Sequence, residues 1–364
     1  MIFTKPTMLV DPDTAKKNLK DMCQKARRHK LMFRPHFKTH QSGMIGAWYS
    51  ELGIDKITVS SVDMAAYFTR FGWEDILIAF PVNIKEIDVI NKLAQQIKLS
   101  LTVLNVESVE YLDKYLLHEV DVYIKIDAGY KRTGVVWSNQ AELQSLAHSV
   151  NENEKLNLKG ILCHSGQTYQ VNSVSEIIDI HEESKYRMKK VEETLSSIKK
   201  DLLISIGDTP SCSLADDFEG VDEIRPGNFI FYDLQQYRAG ACNLSDIAIS
   251  VACPIVSMHR DRNEMVIYGG AVHFSKDTFF EGGRNIYGYV VSLSDEGWIV
   301  PDSKMLLTKV SQEHGIISVS PDAFMEYKTG DFIGVLPAHA CLTANLMKGY
   351  VDSNGIKYDH LACK

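Results

Sequence analysis

The chain has 364 residues, room for two domains or for one large barrel with an appendage. Its hydrophobic fraction of 45% and charged fraction of 24% are ordinary for a soluble globular protein, which excludes fibrous and disordered classes. A net charge of -8 without a long basic run makes nucleic acid and anionic membrane poor partners, so an anionic ligand must be held by local positive groups. The N-terminal residues hold no apolar run long enough for a signal peptide, and no segment suits a bilayer span. Seven cysteines, an odd count without CxxC pairs, point to a reducing cytoplasm rather than a disulfide framework.

A short strand over residues 7–10 comes first. β-rich apolar runs then recur at residues 31–38, 56–61, 75–80, 99–105, 121–127, 158–164, 202–207 and 223–231. Amphipathic stretches with helical periodicity lie between them, at 63–71, 84–96, 106–117, 140–150 and 174–199. Strand–helix alternation implies parallel strands joined by right-handed crossovers, and eight of them are the count of a (β/α)8 TIM-type barrel. A doubly wound sheet shares the alternation, but its dinucleotide fingerprint is absent, and Tyr268-Gly269-Gly270 sits in the wrong context. From about residue 246 the pattern becomes short strands with polar turns and almost no helix, at 247–258, 263–267, 285–293, 304–310, 316–319 and 331–336. The expected organisation is a barrel over residues 13–245 and an antiparallel β-domain over residues 246–364, with residues 1–12 pairing with the latter.

Such a barrel carries its active site at the C-terminal ends of its strands. The first ends Arg34-Pro35-His36-Phe37-Lys38-Thr39-His40, and alternation puts Arg34, His36, Lys38 and His40 on one face. Pointing inward, this column would lower the pKa of Lys38 and make it an amine nucleophile; pointing outward, it would be a solvated strand. The apolar start at Leu31, Met32 and Phe33 favours the inward reading. The sixth strand ends Cys163-His164-Ser165-Gly166-Gln167-Thr168-Tyr169, either a polar loop or an imidazole and phenol set against a planar heteroaromatic ligand. The seventh ends Gly207-Asp208-Thr209-Pro210-Ser211, and the eighth holds Arg225-Pro226-Gly227-Asn228 and then Phe231-Tyr232-Asp233. Loops after strands seven and eight often bind phosphate, and Gly207 and Thr209 suit that task as well as they suit a plain turn. An amine, an aromatic stack and a phosphate cradle together describe a pyridoxal-phosphate (PLP) site. In the second domain, Pro337-Ala338-His339-Ala340-Cys341 puts an imidazole and a thiol within reach of one metal if the backbone is extended. Two ligands do not make a structural zinc site, so the pair is either a catalytic Lewis-acid site or a chance spacing.

Taken in order, these motifs resemble the D-threonine aldolase and D-serine dehydratase family, the metal-dependent relatives of alanine racemase. The resemblance implies that Lys38 is the Schiff-base lysine, within Arg-Pro-His-x-Lys-Thr-His, and that His164 and Tyr169 face the cofactor. It places Gly207, Thr209 and Pro210 in the phosphate loop, with Tyr232 in the cofactor-binding segment after it. It makes His339 and Cys341 ligands of a divalent metal, zinc first and manganese second. Three stretches depart from the pattern: Gln167 stands where a second histidine is expected, Gln312 where a glutamate is usual, and residues 269–277 fit only loosely.

The implied activity is a lyase on D-configured β-hydroxy amino acids. Removal of the hydroxyl proton would break Cα–Cβ, as in an aldolase. Removal of the α-proton by Lys38 would expel the hydroxyl group and yield a keto acid and ammonia, as in a dehydratase. His-x-Cys resembles the dehydratase branch more closely. One alternative is a metal-independent amino-acid racemase, indifferent to chelators. Another is a non-catalytic PLP-binding protein, against which the second domain argues. Analogy with capped barrels of this type implies a head-to-tail homodimer.

Overall fold

The computed structural model describes residues 3–294, 297–299 and 305–361. Met1, Ile2, Cys363 and Lys304, the expected start of one strand, lie outside the described residues. The eight barrel strands are Met32–Phe33, Lys56–Val59, Asp75–Pro81, Lys98–Val103, Val120–Asp127, Leu156–Leu162, Leu203–Ile206 and Glu223–Ile224. They pair in parallel in chain order, and the ring closes where Glu223 meets Met32 and where His36 bridges Thr58. Crossover helices Val62–Thr69, Val106–Tyr115, Gln140–Asn151 and Val174–Leu195 each begin on a side-chain cap, from Ser61, Asn105, Asn139 and Ser173. The fifth strand shows how alternation sorts its residues. Val122, Ile124 and Ile126 join the core shared with the helices, whereas Tyr123 packs with Leu77 and Leu162 in a separate cluster.

Two strands are shorter than their apolar runs predict. The first stops at Phe33, because Pro35 offers no N–H to a ladder, and the chain turns after His36 with Gln41 at φ 46°. Pro226 ends the eighth in the same way after Ile224. The two ends then meet closely, since a Cβ on Gly227 would lie 2.7 Å from His36 O.

The second domain is an antiparallel barrel of Glu264–Tyr268, His314–Ser318, Leu306–Val310, Gly288–Ser294, Phe332–Pro337 and Ile249–His259. It closes where Ile249–His259 returns to Glu264–Tyr268, around a core that includes Val251, Met265, Ile317 and Val335. Thr7–Val10 pairs antiparallel with Ile249–His259, Thr7 opposite Ala252 and Val10 opposite Ile249. The domain holds more helix than its strand-like texture predicts: Ala271–Phe274 and Ala340–Met347, which pack on each other. No helix among the described residues is long and apolar enough to cross a membrane.

Candidate active site

A cavity of about 1160 Å³ opens at the C-terminal ends of the barrel strands and reaches the second domain. His36 and Lys38 line it from the turn after the first strand. The other members of the expected basic column do not. Arg34 is buried at the opposite end of the barrel, bonded to Asp75 and, at 2.7 Å, to Glu223. His40 lies beyond the turn, stacked on Tyr49 with centroids 5.5 Å apart and edge-on to Phe37. The turn breaks the period of two on which the column depended. Burial holds the Lys38 amine below its ordinary pKa; Cys341 opposes this, and Arg132 and Arg225 reinforce it.

His164 and Tyr169 line the same cavity, their ring centroids 6.1 Å apart. His164 Nδ1–H donates to Gly207 O at 2.7 Å, because a carbonyl can only accept, and this leaves Nε2 as the imidazole's basic nitrogen. Tyr130 stands edge-on to His164, and a Cβ on Gly166 would meet the Tyr130 ring at 2.3 Å. Thr209 N–H donates to the Tyr169 hydroxyl at 3.1 Å. Asp208 joins the two loops, accepting from Thr168 Oγ1 at 3.0 Å and from Ser211 N–H at 2.8 Å. Gly207 lines the cavity where two strand ends approach, since a Cβ there would sit 2.9 Å from the Arg225 backbone. Thr209 thus stands behind Tyr169 rather than on the cavity wall. Tyr232 is away from the wall as well: at φ 49° its hydroxyl turns to Ser213 Oγ, 3.0 Å away.

His339 and Cys341 enter from the second domain. The backbone is extended at His339, but Cys341 lies in the first turn of Ala340–Met347, so the pair straddles a helix start. Asp233 of the barrel caps that start, accepting from Ala340 N–H at 2.8 Å. The imidazole is thereby left to bond Asp277 Oδ2 through Nδ1 at 2.5 Å. Thr39 Oγ1 lies 3.3 Å from Cys341 Sγ, which brings the thiol beside the residue that follows Lys38. Burial lowers the His339 pKa, yet Asp277 and Cys341 outweigh it and hold the imidazole well above its ordinary value. Burial raises the Cys341 pKa, yet His339 and Lys38 outweigh it and favour the thiolate. Among the described residues no group of three or more His, Cys, Asp or Glu side chains is placed to hold a metal.

Sequence reasoning gave no role to several cations on the cavity wall, among them Lys125, Arg132 and Arg225. Lys125 belongs to the fifth strand and is 5% exposed; burial, then Arg225 and Arg132, lower its pKa to about 7. Its signal was a lysine inside an apolar run, on the alternate positions shared by Tyr123. Arg225 is fixed by Ser205 Oγ at 2.7 Å and Cys163 O at 2.6 Å. Among the described residues none of Lys38, Lys125, Arg132 and Arg225 has an ion-pair partner. Four cations without an ion-pair partner around one cavity, Arg225 and Lys125 buried and Arg132 exposed, suit an anionic ligand.

Residues 10–235 match the family described as alanine racemase, N-terminal domain, and residues 248–352 match the serine dehydratase domain family. The chain is 31% identical over 374 residues to a D-serine dehydratase of Dictyostelium discoideum, covering 95% of this chain and 92% of that one. It is 25% identical to the D-threo-3-hydroxyaspartate dehydratase of Delftia sp. (strain HT23), over 95% and 93% of the two chains. The solved structure of that dehydratase superposes with a TM-score of 0.91, covering 100% of this chain and 98% of that one at 24% identity. The D-threonine aldolase of Filomicrobium marinum shares the fold, with a TM-score of 0.84 at 19% identity over 98% and 97% of the chains. By sequence and by fold, this chain belongs to the D-threonine aldolase and D-serine dehydratase family, built on the alanine racemase barrel.

Proposed function

We infer that the protein is a PLP- and divalent-metal-dependent lyase of D-β-hydroxy amino acids, on the dehydratase branch. The observation that carries this reading is one cavity that joins an amine without an acid partner, three further unpaired cations and a His–Cys pair. The residues suit both groups: the cations match a phosphorylated, anionic cofactor, and the buried Asn228 Oδ1, without a partner of its own, adds a free acceptor on the same wall. Two soft ligands beside open positions suit zinc. A mutant of the Delftia dehydratase is described in a metal-free form, which supports a metal in the relative.

Lys38 would tether the cofactor through Nζ, with His164 and Tyr169 against its ring and Arg225 as a fixed cation on the wall. The loops of Gly207 and Thr209 would take the phosphate, and Tyr232 would act from behind through Ser213. His339 Nε2 and Cys341 Sγ would hold the metal. When bound, PLP supplies an electron sink at Cα and the metal a Lewis acid for the β-oxygen. Lys38 Nζ, its pKa lowered by burial, would serve as the base for the α-proton. The second domain closes one side of the cavity and restricts water.

We place the domain boundary near residue 245 and propose a head-to-tail homodimer. Phe80, near the end of the third strand, and Phe280, three residues after Asp277, are 61% and 66% exposed, and such large exposed rings support a partner surface. A monomeric mass in solution with full activity would sink the dimer. The six described cysteines are unpaired, which supports a cytoplasmic setting.

The test is an absorbance spectrum with assays on D-serine and D-threonine, with zinc or manganese and with or without chelator. Wild type should be yellow and release a keto acid and ammonia from D-serine only with metal. Lys38→Ala should lose the colour, and His339→Ala should keep it without turnover. Glycine and an aldehyde from D-threonine would move the protein to the aldolase branch. Turnover indifferent to chelator would remove His339 and Cys341 from the reaction.

A further inference from the structure

We propose that Asp277 is the positioning residue of the metal centre, fixing the His339 imidazole so that Nε2 and the Cys341 thiolate can share one divalent cation. The proposal rests on the reading of His339 and Cys341 as metal ligands. Asp277 Oδ2 lies 2.5 Å from His339 Nδ1, across 62 residues of chain. A carboxylate accepts, so Nδ1 keeps its proton and a metal would replace the proton on Nε2, as in carboxylate–histidine–metal triads.

The surroundings are built to hold this contact. His339 stands at the start of Ala340–Met347 without capping it, since Asp233 occupies the Ala340 N–H and frees the imidazole. The chain that leads into Asp277 is held at two places. A Cβ on Gly270 would lie 2.4 Å from Ser311 O, and Ala271 N–H donates to that oxygen at 2.7 Å. Thr343 Oγ1, on the helix that carries Cys341, donates to Phe274 O at 3.3 Å. Directly after these supports Ser275 adopts φ 68°, a region that a residue with a side chain enters only at a cost. Asp277 N–H then closes on Ser275 Oγ at 3.1 Å.

The experiment uses the full-length, PLP-loaded protein stripped of metal. Zinc affinity is measured by competition with a chromophoric chelator, and cobalt(II) reports ligation through its thiolate charge-transfer band. Wild type should bind one equivalent. Asp277→Ala should bind zinc about 10–100-fold more weakly, with unchanged PLP absorbance. Asp277→Asn keeps an acceptor for Nδ1–H and should recover most of the affinity and the wild-type cobalt spectrum. Wild-type zinc affinity in Asp277→Ala would overturn the proposal. So would an Asn variant as weak as the Ala variant, since that result makes the carboxylate a direct ligand. Should Asp277→Ala fail to fold, Asp277→Leu, close to aspartate in shape and without an acceptor, takes its place in the same comparison. A wild-type protein that binds no metal would overturn the ligand reading itself, and the proposal with it.

Discussion

Lys125 is the residue whose chemistry depends most on its surroundings. Free lysine titrates near 10.5, and within the barrel burial, Arg225 and Arg132 lower this side chain to about 7. The folded value is the lower one, so between the two values the unfolded chain binds more protons. Stability therefore rises with pH across about 7 to 10.5 and is lost as pH falls towards 7. Scanning calorimetry of the ligand-free protein should show Tm rising from pH 7 to 9, and rising less in Lys125→Met. Equal slopes in the two proteins would show that Lys125 is not an unpaired buried amine. Lys38 was legible from its neighbours in the chain, but its environment was misassigned. The cations that act on it are Arg132 and Arg225 from other elements, while Arg34 and His40 have left its face.

At the scale of elements, apolar runs revealed every barrel strand, because a parallel strand buried on both faces reads as a hydrophobic run. Strand ends were less legible. Pro35 and Pro226 stop their ladders early, and the freed chain of each becomes cavity wall. The two ends are pressed together at Gly227, where a Cβ would stand 2.7 Å from His36 O and 3.1 Å from Thr39 Oγ1. Gly227→Ala must displace the turn that carries Lys38. Urea unfolding should show a loss of about 1–3 kcal/mol, as for other overpacked sites. PLP titration followed by fluorescence should show weaker binding than wild type. Unchanged PLP affinity would mean that the turn moves without carrying Lys38 with it.

Across the whole molecule, neutral buried histidines make the ligand-free protein sensitive to acid. Burial holds His36 and His164 well below 6.5, and His40 at about 3. Their folded values are depressed, so the stability they contribute is present above 6.5 and lost as pH falls towards those values. Circular dichroism melts should show Tm falling steadily from pH 7 to pH 4. A flat profile over that range would mean that these imidazoles are solvated. The cavity itself belongs to the whole molecule, with the amine on the barrel and the His–Cys pair on the second domain. By itself the sequence determined the strand–helix alternation, the change of texture near residue 246 and the motifs that carry Lys38, His164, Tyr169, His339 and Cys341. These are local properties, written in period and spacing. Only the tertiary structure decided that Asp277 reaches His339, that Asp233 caps the helix of Cys341, and that Lys125 and Arg225 share the space around Lys38. Such contacts join residues tens to hundreds of positions apart, and they exist only once both barrels have closed.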